Sequence, residues 1–168
     1  GARIAGFTIT NGGSASIFAY GVSLTIDHCI ISGSDQGIAT NQRAVIRRNL
    51  ITGNSDYGIF VGSDGEPEVA NNLIVGNGAD ASGLVLYQSG GVVRNNVIDA
   101  NGITGISVSE PPTALVTDIR NNIVSRNGWY GVSAYAFDGG LQTIGYNNVW
   151  DNGWGDYDDV EAGTGSMS

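Results

Sequence analysis

Asn49-Leu50-Ile51-Thr52-Gly53-Asn54, Asn72-Leu73-Ile74-Val75-Gly76-Asn77, Asn96-Val97-Ile98-Asp99-Ala100-Asn101 and Asn122-Ile123-Val124-Ser125-Arg126-Asn127 are copies of one phrase. Self-similarity at a fixed interval marks a repeat architecture, so the phrase decides the fold. Looser copies extend it in both directions: Cys29-Ile30-Ile31-Ser32-Gly33-Ser34 before it, Phe7-Thr8-Ile9-Thr10-Asn11-Gly12 at the start, and Asn148-Val149-Trp150-Asp151-Asn152-Gly153 at the end. The central apolar residues Ile9, Ile31, Ile51, Ile74, Ile98, Val124 and Trp150 step by 22, 20, 23, 24, 26 and 26 residues, giving about seven units. The sequence has neither the fixed leucine pattern of leucine-rich repeats nor the 3.6-residue apolar rhythm of helical ones.

Each unit carries two further markers. One is a glycine followed by an apolar residue: Gly37-Ile38, Gly58-Ile59, Gly83-Leu84, Gly105-Ile106 and Gly131-Val132. The other is a third apolar segment, as in Leu24-Thr25-Ile26 or Ala44-Val45-Ile46. The expectation is an all-β single-chain solenoid, a parallel β-helix of about seven coils of 20–26 residues with three short strands in each. Length variation falls in Gly62 to Pro67, Asn77 to Gly83 and Ser109 to Thr113, where turn formers collect. Stacking at about 4.8 Å aligns equivalent residues in columns. The column Cys29, Asn49, Asn72, Asn96, Asn122 and Asn148 is expected to be an internal asparagine ladder.

This pattern resembles the right-handed parallel β-helix family that includes pectate lyases and polygalacturonases, and the resemblance covers nearly the whole chain. It implies an extracellular or cell-surface protein that handles carbohydrate. Residues 1–168 are read as one β-helix domain ending in an acidic, Gly- and Ser-containing tail over residues 156–168. Neither end shows a cap, so a fragment of a longer protein, a unit whose open ends stack on another copy, and a tail folded back as a partial cap are all expectations.

The formal charge is −9, from sixteen carboxylates against seven cations, and all seven cations are Arg. Such a surface repels nucleic acid and anionic membranes, and permits a neutral glycan, a divalent cation, or an anionic glycan bridged by calcium. The one cysteine, Cys29, excludes a disulfide within the chain and reads as a buried thiol. No apolar stretch reaches membrane length, and an export signal is expected upstream or removed.

Enzymes of the resembled family place chemistry on an exterior face, so charged columns are the features to inspect. Arg47, Arg94 and Arg120 each stand two places before a ladder residue, with Ala70 interrupting the column and Asp27 in the equivalent place one coil earlier. They are either a basic stripe for a uronate carboxylate or ion pairs on a solvated face. His28, the one histidine, is either a base beside Asp27 or a hydrogen-bonded turn residue. The polygalacturonase series Asn-Thr-Asp, Asp-Asp, Gly-His-Gly and Arg-Ile-Lys is not present, the one Asp-Asp being Asp158-Asp159, and lysine-based lyase chemistry lacks its lysine. Asp64 and Glu66 in a loop, and Asp151, Asp156 and Asp158 near the C-terminus, are candidate calcium ligands or merely acidic surface. Trp129, Tyr130, Trp154 and Tyr157 are candidates to stack on sugar rings or to plug the final coils.

One column is out of place for a simple solenoid. Ile30, Leu50, Leu73, Val97, Ile123 and Val149 follow the ladder positions, and strand alternation turns them outward if Ile51 and its equivalents point inward. A covering partner, such as a second copy, is the expectation if that stripe proves exposed. The function expected is a polysaccharide-binding or polysaccharide-processing module. A calcium-dependent lyase or hydrolase acting on uronate polymers, and a structural or adhesive spacer, stand as alternatives.

Overall fold

The computed structural model describes residues 1–112, 114–135 and 141–168, and for Leu141 the backbone alone. Among these residues there is no helix. The chain winds as a β-solenoid whose strands lie in three parallel seven-stranded sheets. The first sheet holds β1 (Ala2–Ala5), β4 (Leu24–Asp27), β7 (Val45–Arg47), β10 (Glu68–Ala70), β13 (Gly91–Arg94), β16 (Val116–Arg120) and β19 (Leu141–Gly145). The second holds β2 (Thr8–Thr10), β5 (Ile30–Ser32), β8 (Leu50–Thr52), β11 (Leu73–Val75), β14 (Val97–Asp99), β17 (Ile123–Ser125) and β20 (Asn148–Trp150). The third holds β3 (Ala15–Ala19), β6 (Gln36–Thr40), β9 (Tyr57–Val61), β12 (Ser82–Tyr87), β15 (Ile106–Ser109), β18 (Tyr130–Tyr135) and β21 (Gly155–Asp158). Each coil therefore contributes three strands, as the glycine and apolar markers require.

The core is three sets of columns. Ile26, Ile46, Val69, Val93 and Ile119 face inward from the first sheet, Ile31, Ile51, Ile74, Ile98, Val124 and Val149 from the second, and Ile38, Ile59, Leu84, Ile106 and Val132 from the third; all are fully buried. β-branched side chains suit this pleated, half-buried surface, and burial of each contributes about 1.5–3 kcal/mol.

In the middle coils both short turns are built alike: one residue with positive φ, then one buried polar residue. Between the first and second sheets the positive-φ residues are Gly6, His28, Arg48, Asn71, Asn95, Asn121 and Tyr146. The residue that follows forms the expected ladder: Asn49 Nδ2 donates to Asn72 Oδ1 at 3.0 Å, Asn72 to Asn96 at 3.1 Å, and Asn96 to Asn122 at 3.0 Å. Cys29 heads the column, its N–H donating to Asn49 Oδ1 at 2.9 Å.

The last coil departs from the expected register by one residue. Asn122 donates to Oδ1 of Asn147, which is 1% exposed, so Asn147 and not Asn148 completes the ladder. Val124 accordingly pairs with Val149, and Trp150 faces solvent. Tyr146 takes the positive-φ place filled by the first Asn of the doublets at 71–72, 95–96 and 121–122, so the doublet at 147–148 lies one residue later.

A second ladder lines the turn between the second and third sheets. Asn54, Asn77, Asn101, Asn127 and Asn152 are linked from side chain to side chain at 2.8–3.0 Å, below Ser34. Its signal is the closing Asn of the four close copies of the phrase. The glycine column packs against it. A Cβ on Gly83 would lie 2.7 Å from Gly105 O, 2.8 Å from Ile98 Cγ2 and 2.9 Å from Asn101 Nδ2. These glycines are required by close approach, not by turn geometry.

The tail beyond β21 folds back. Gly145 bridges Thr164, Asn148 bridges Met167, and the Asn147 N–H donates to Ser166 Oγ at 3.1 Å. It thus continues the first two sheets and the first ladder by part of another rung.

Candidate functional site

The chemistry gathers on the outer face of the first sheet. Cross-strand register aligns Asp27, Arg47, Ala70, Arg94 and Arg120 in one outward column. A neighbouring outward column carries Val45, Glu68, Val92 and Asp118. Arg94 pairs with Glu68 at 2.5 Å, Arg120 with Asp118 at 3.0 Å, and Arg43 with Glu66. These pairs line a groove of about 860 Å³, together with Pro67 and Ala114 from the long loops between the third and first sheets. Thr113, at the end of one of those loops, lies outside the described residues. Arg94 and Arg120 stay 41% and 50% exposed despite their partners, so their outer N–H groups remain open to solvent. Asp118 Oδ1 is buried and accepts no hydrogen bond.

Toward the N-terminal end the same column becomes a tight cluster. The Asp27 side chain is 2% exposed and meets Arg3 at 2.8 Å, His28 at 2.7 Å, Arg47 at 3.6 Å and Arg48 at 3.9 Å. The hydrogen bond from Arg3 holds the Asp27 carboxyl below the usual carboxylate range; burial opposes this, and the charges of His28, Arg47 and Arg3 reinforce it. His28 Nδ1 touches Asp27 Oδ1 as a charge contact outside the directed geometry of a hydrogen bond, and that oxygen accepts none. Sequence reasoning brought together Asp27, His28 and Arg47 but missed Arg3 and Arg48. Arg48 was signalled by its place one coil after His28 in the same turn column.

The aromatic candidates divide. Trp129 and Trp154 stack with ring centroids 4.4 Å apart and planes 5° from parallel, and they are 42% and 63% exposed. Tyr130 abuts Trp154 edge-on at 5.8 Å. Tyr157 does not join them: it pairs with Val132 in an inward column and packs on the core, and burial raises its hydroxyl pKa. Chain alternation in β21 is the reason. A further exposed pair, Phe18 stacked on Tyr20 at 4.5 Å, was not anticipated.

The acidic candidates lie apart. Asp64 occupies a positive-φ loop position and Glu66 is held by Arg43. Asp151 is exposed in a turn, Asp156 accepts from Asn152 Nδ2 at 3.0 Å, and Asp158 accepts from Ser133 Oγ at 3.0 Å. Among the described residues, no three His, Cys, Asp or Glu side chains converge as a metal site. Nor is any helix long and apolar enough to cross a membrane. The outward apolar stripe is real at Ile30, Leu73 and Ile123, exposed by 44%, 42% and 41%, whereas the register shift buries Val149 and puts Asn148 in its place.

No curated protein matches the chain. Solved structures similar to it include mutants of the periplasmic alginate epimerase AlgG. A double mutant matches with a TM-score of 0.70 at 19% identity, over 99% of this chain and 45% of that one. Two single mutants match with TM-scores of 0.71 and 0.65, each at 20% identity, over 99% and 95% of this chain and 45% and 43% of theirs. The chain thus spans less than half the length of those proteins, and identity at this level speaks for the fold alone. Residues 1–157 match the model described as the right handed beta helix region, and the chain belongs to that family.

Proposed function

We propose that this chain is a β-helix module that engages an acidic polysaccharide along the outer face of its first sheet, outside the cytoplasm. The observation that carries the reading is the alignment of Arg47, Arg94 and Arg120 in one column beside a groove of about 860 Å³. A guanidinium whose inner N–H groups are held by a carboxylate is already oriented, so its outer N–H groups meet a sugar carboxylate or hydroxyl with little further ordering. The likeness to a periplasmic alginate epimerase agrees with this substrate class at the level of fold. The free face of Trp154, held by Trp129 and Tyr130, is offered as a place for a sugar ring to stack.

The test is a panel of pectate, alginate and neutral plant and algal polymers, assayed for retention and cleavage with and without calcium. Retention of the uronate polymers that weakens with salt supports the reading. Cleavage in calcium would make the module an enzyme. Silence across the panel would leave the second reading, a structural spacer associating through the exposed stripe of Ile30, Leu73 and Ile123.

A further inference from the structure

Sixteen carboxylates are available to seven arginines, so simple pairing would spread the cations one to an acid. Instead Arg3, Arg47 and Arg48, together with the one histidine, converge on Asp27. Three guanidiniums against one carboxylate leave a formal excess of two positive charges, before His28 is counted, in a chain of net charge −9. The cations are not hidden: the side chains of Arg3, His28, Arg47 and Arg48 are 59%, 58%, 41% and 51% exposed above a carboxylate that is 2% exposed.

Two further features mark the cluster. The Nε of Arg47 is shut off from solvent and donates to nothing, a state that a buried donor rarely tolerates. His28 and Arg48 occupy turn positions with φ of 54° and 56°, where the later coils use Asn71, Asn95 and Asn121. Asn, Asp and His are the side chains best suited to that conformation, whereas arginine carries a backbone cost there. Arg48 stands there one coil beyond Asp27 and His28 directly after it, so both basic side chains reach the same carboxylate.

We propose that the Asp27 cluster is an oxyanion-binding site that takes a carboxylate or sulfate group. Asp27 acts as an internal anchor that gathers the guanidiniums, and the arriving anion meets their outward N–H groups in the paired geometry that guanidinium offers to such groups. The site shares the arginine column with the groove through Arg47, but it requires no polymer.

The test titrates the intact chain with sodium sulfate and with monomeric galacturonate, against sodium chloride at constant ionic strength, following heat and the nuclear resonances of the one imidazole. Saturable binding of either anion that moves the His28 signals, and half-saturation at least tenfold weaker in Arg48→Asn and in Arg3→Gln, is the expected result. Arg48→Asn retains the turn, since Asn fills that place in later coils, and Arg126→Gln, far from the cluster on Asp99, should bind as wild type. Responses that merely follow ionic strength in all three salts, or an Arg48→Asn variant that binds like wild type, would overturn the proposal. If sulfate and galacturonate fail while pectate is still retained, the cluster is excluded and the groove reading stands.

Discussion

Asn77 donates its side-chain amide to Oδ1 of Asn101 across 2.8 Å, and Asn101 in turn donates to Asn127 Oδ1 at 3.0 Å and to Ile74 O at 3.2 Å. One buried residue thus serves three coils. Asn101→Ala would leave the backbone N–H of Asn77 and one hydrogen of its side-chain amide without an acceptor, and each buried unpaired group costs about 1–3 kcal/mol. A loss of about 3 kcal/mol in urea unfolding is expected; a loss under 1 kcal/mol would mean that water replaces the ladder.

Gly83→Ala is expected to destabilise by about 1–3 kcal/mol, because the added methyl meets backbone and a ladder amide that have no room to withdraw. Differential scanning calorimetry reads the effect, and an unchanged melting temperature would show that the rungs can separate locally.

Ala100 holds a φ of 54° in the turn where earlier coils use Gly33, Gly53 and Gly76. The left-handed conformation costs a side chain about 1–2 kcal/mol, part of which glycine gives back through its looser unfolded chain. Ala100→Gly should therefore stabilise by about 0.5–1 kcal/mol, raising the melting temperature by a few degrees.

The carboxyls of Asp27 and Asp99 are held below the usual range, Asp27 chiefly by the hydrogen bond from Arg3 and Asp99 by that from Arg126. The folded state therefore binds fewer protons than the unfolded state, whose carboxyls titrate near 3.8. Their contribution is complete above that value and is lost as pH falls through the lower folded values. Asp27→Asn is expected to flatten the acid limb of stability below about pH 4; an unaltered limb would show that its ion pairs do not survive in solution.

Trp129→Ala and Trp154→Ala should each abolish the coupled near-ultraviolet circular dichroism of the stacked indoles, with stability nearly unchanged because both rings are exposed. A neutral oligosaccharide that stacks on Trp154 should quench wild-type fluorescence and leave Trp154→Ala unaffected.

The fold was legible because a solenoid writes its geometry once per coil. The phrase from Asn49 to Asn54 contains a ladder residue, an inward Ile51, a positive-φ Gly53 and the start of the second ladder. Register slipped only where Tyr146 replaced the usual Asn at a positive-φ place, since the identity of that residue is set by backbone tolerance and not by burial. The site was legible in part. Arg47, Arg94 and Arg120 share a column, which spacing reveals, and Asp27 and His28 are adjacent in the chain. Their partners Arg3, Glu68 and Asp118 come from neighbouring columns or coils, so the pairing depends on side-chain reach across the sheet. Of the two readings open for Tyr157, stacking on sugar or plugging the final coil, the structure shows packing on the core, a direction that depends on where β21 begins.

The most direct measurement is affinity electrophoresis through gels containing alginate or pectate, comparing wild type with the double variant Arg94→Gln, Arg120→Gln. The expected result is retardation of the wild-type chain that diminishes with added salt and is largely lost in the variant, both proteins being equally folded. Equal migration of the two in every gel, or equal retardation of both, would contradict the assignment of this face to polysaccharide.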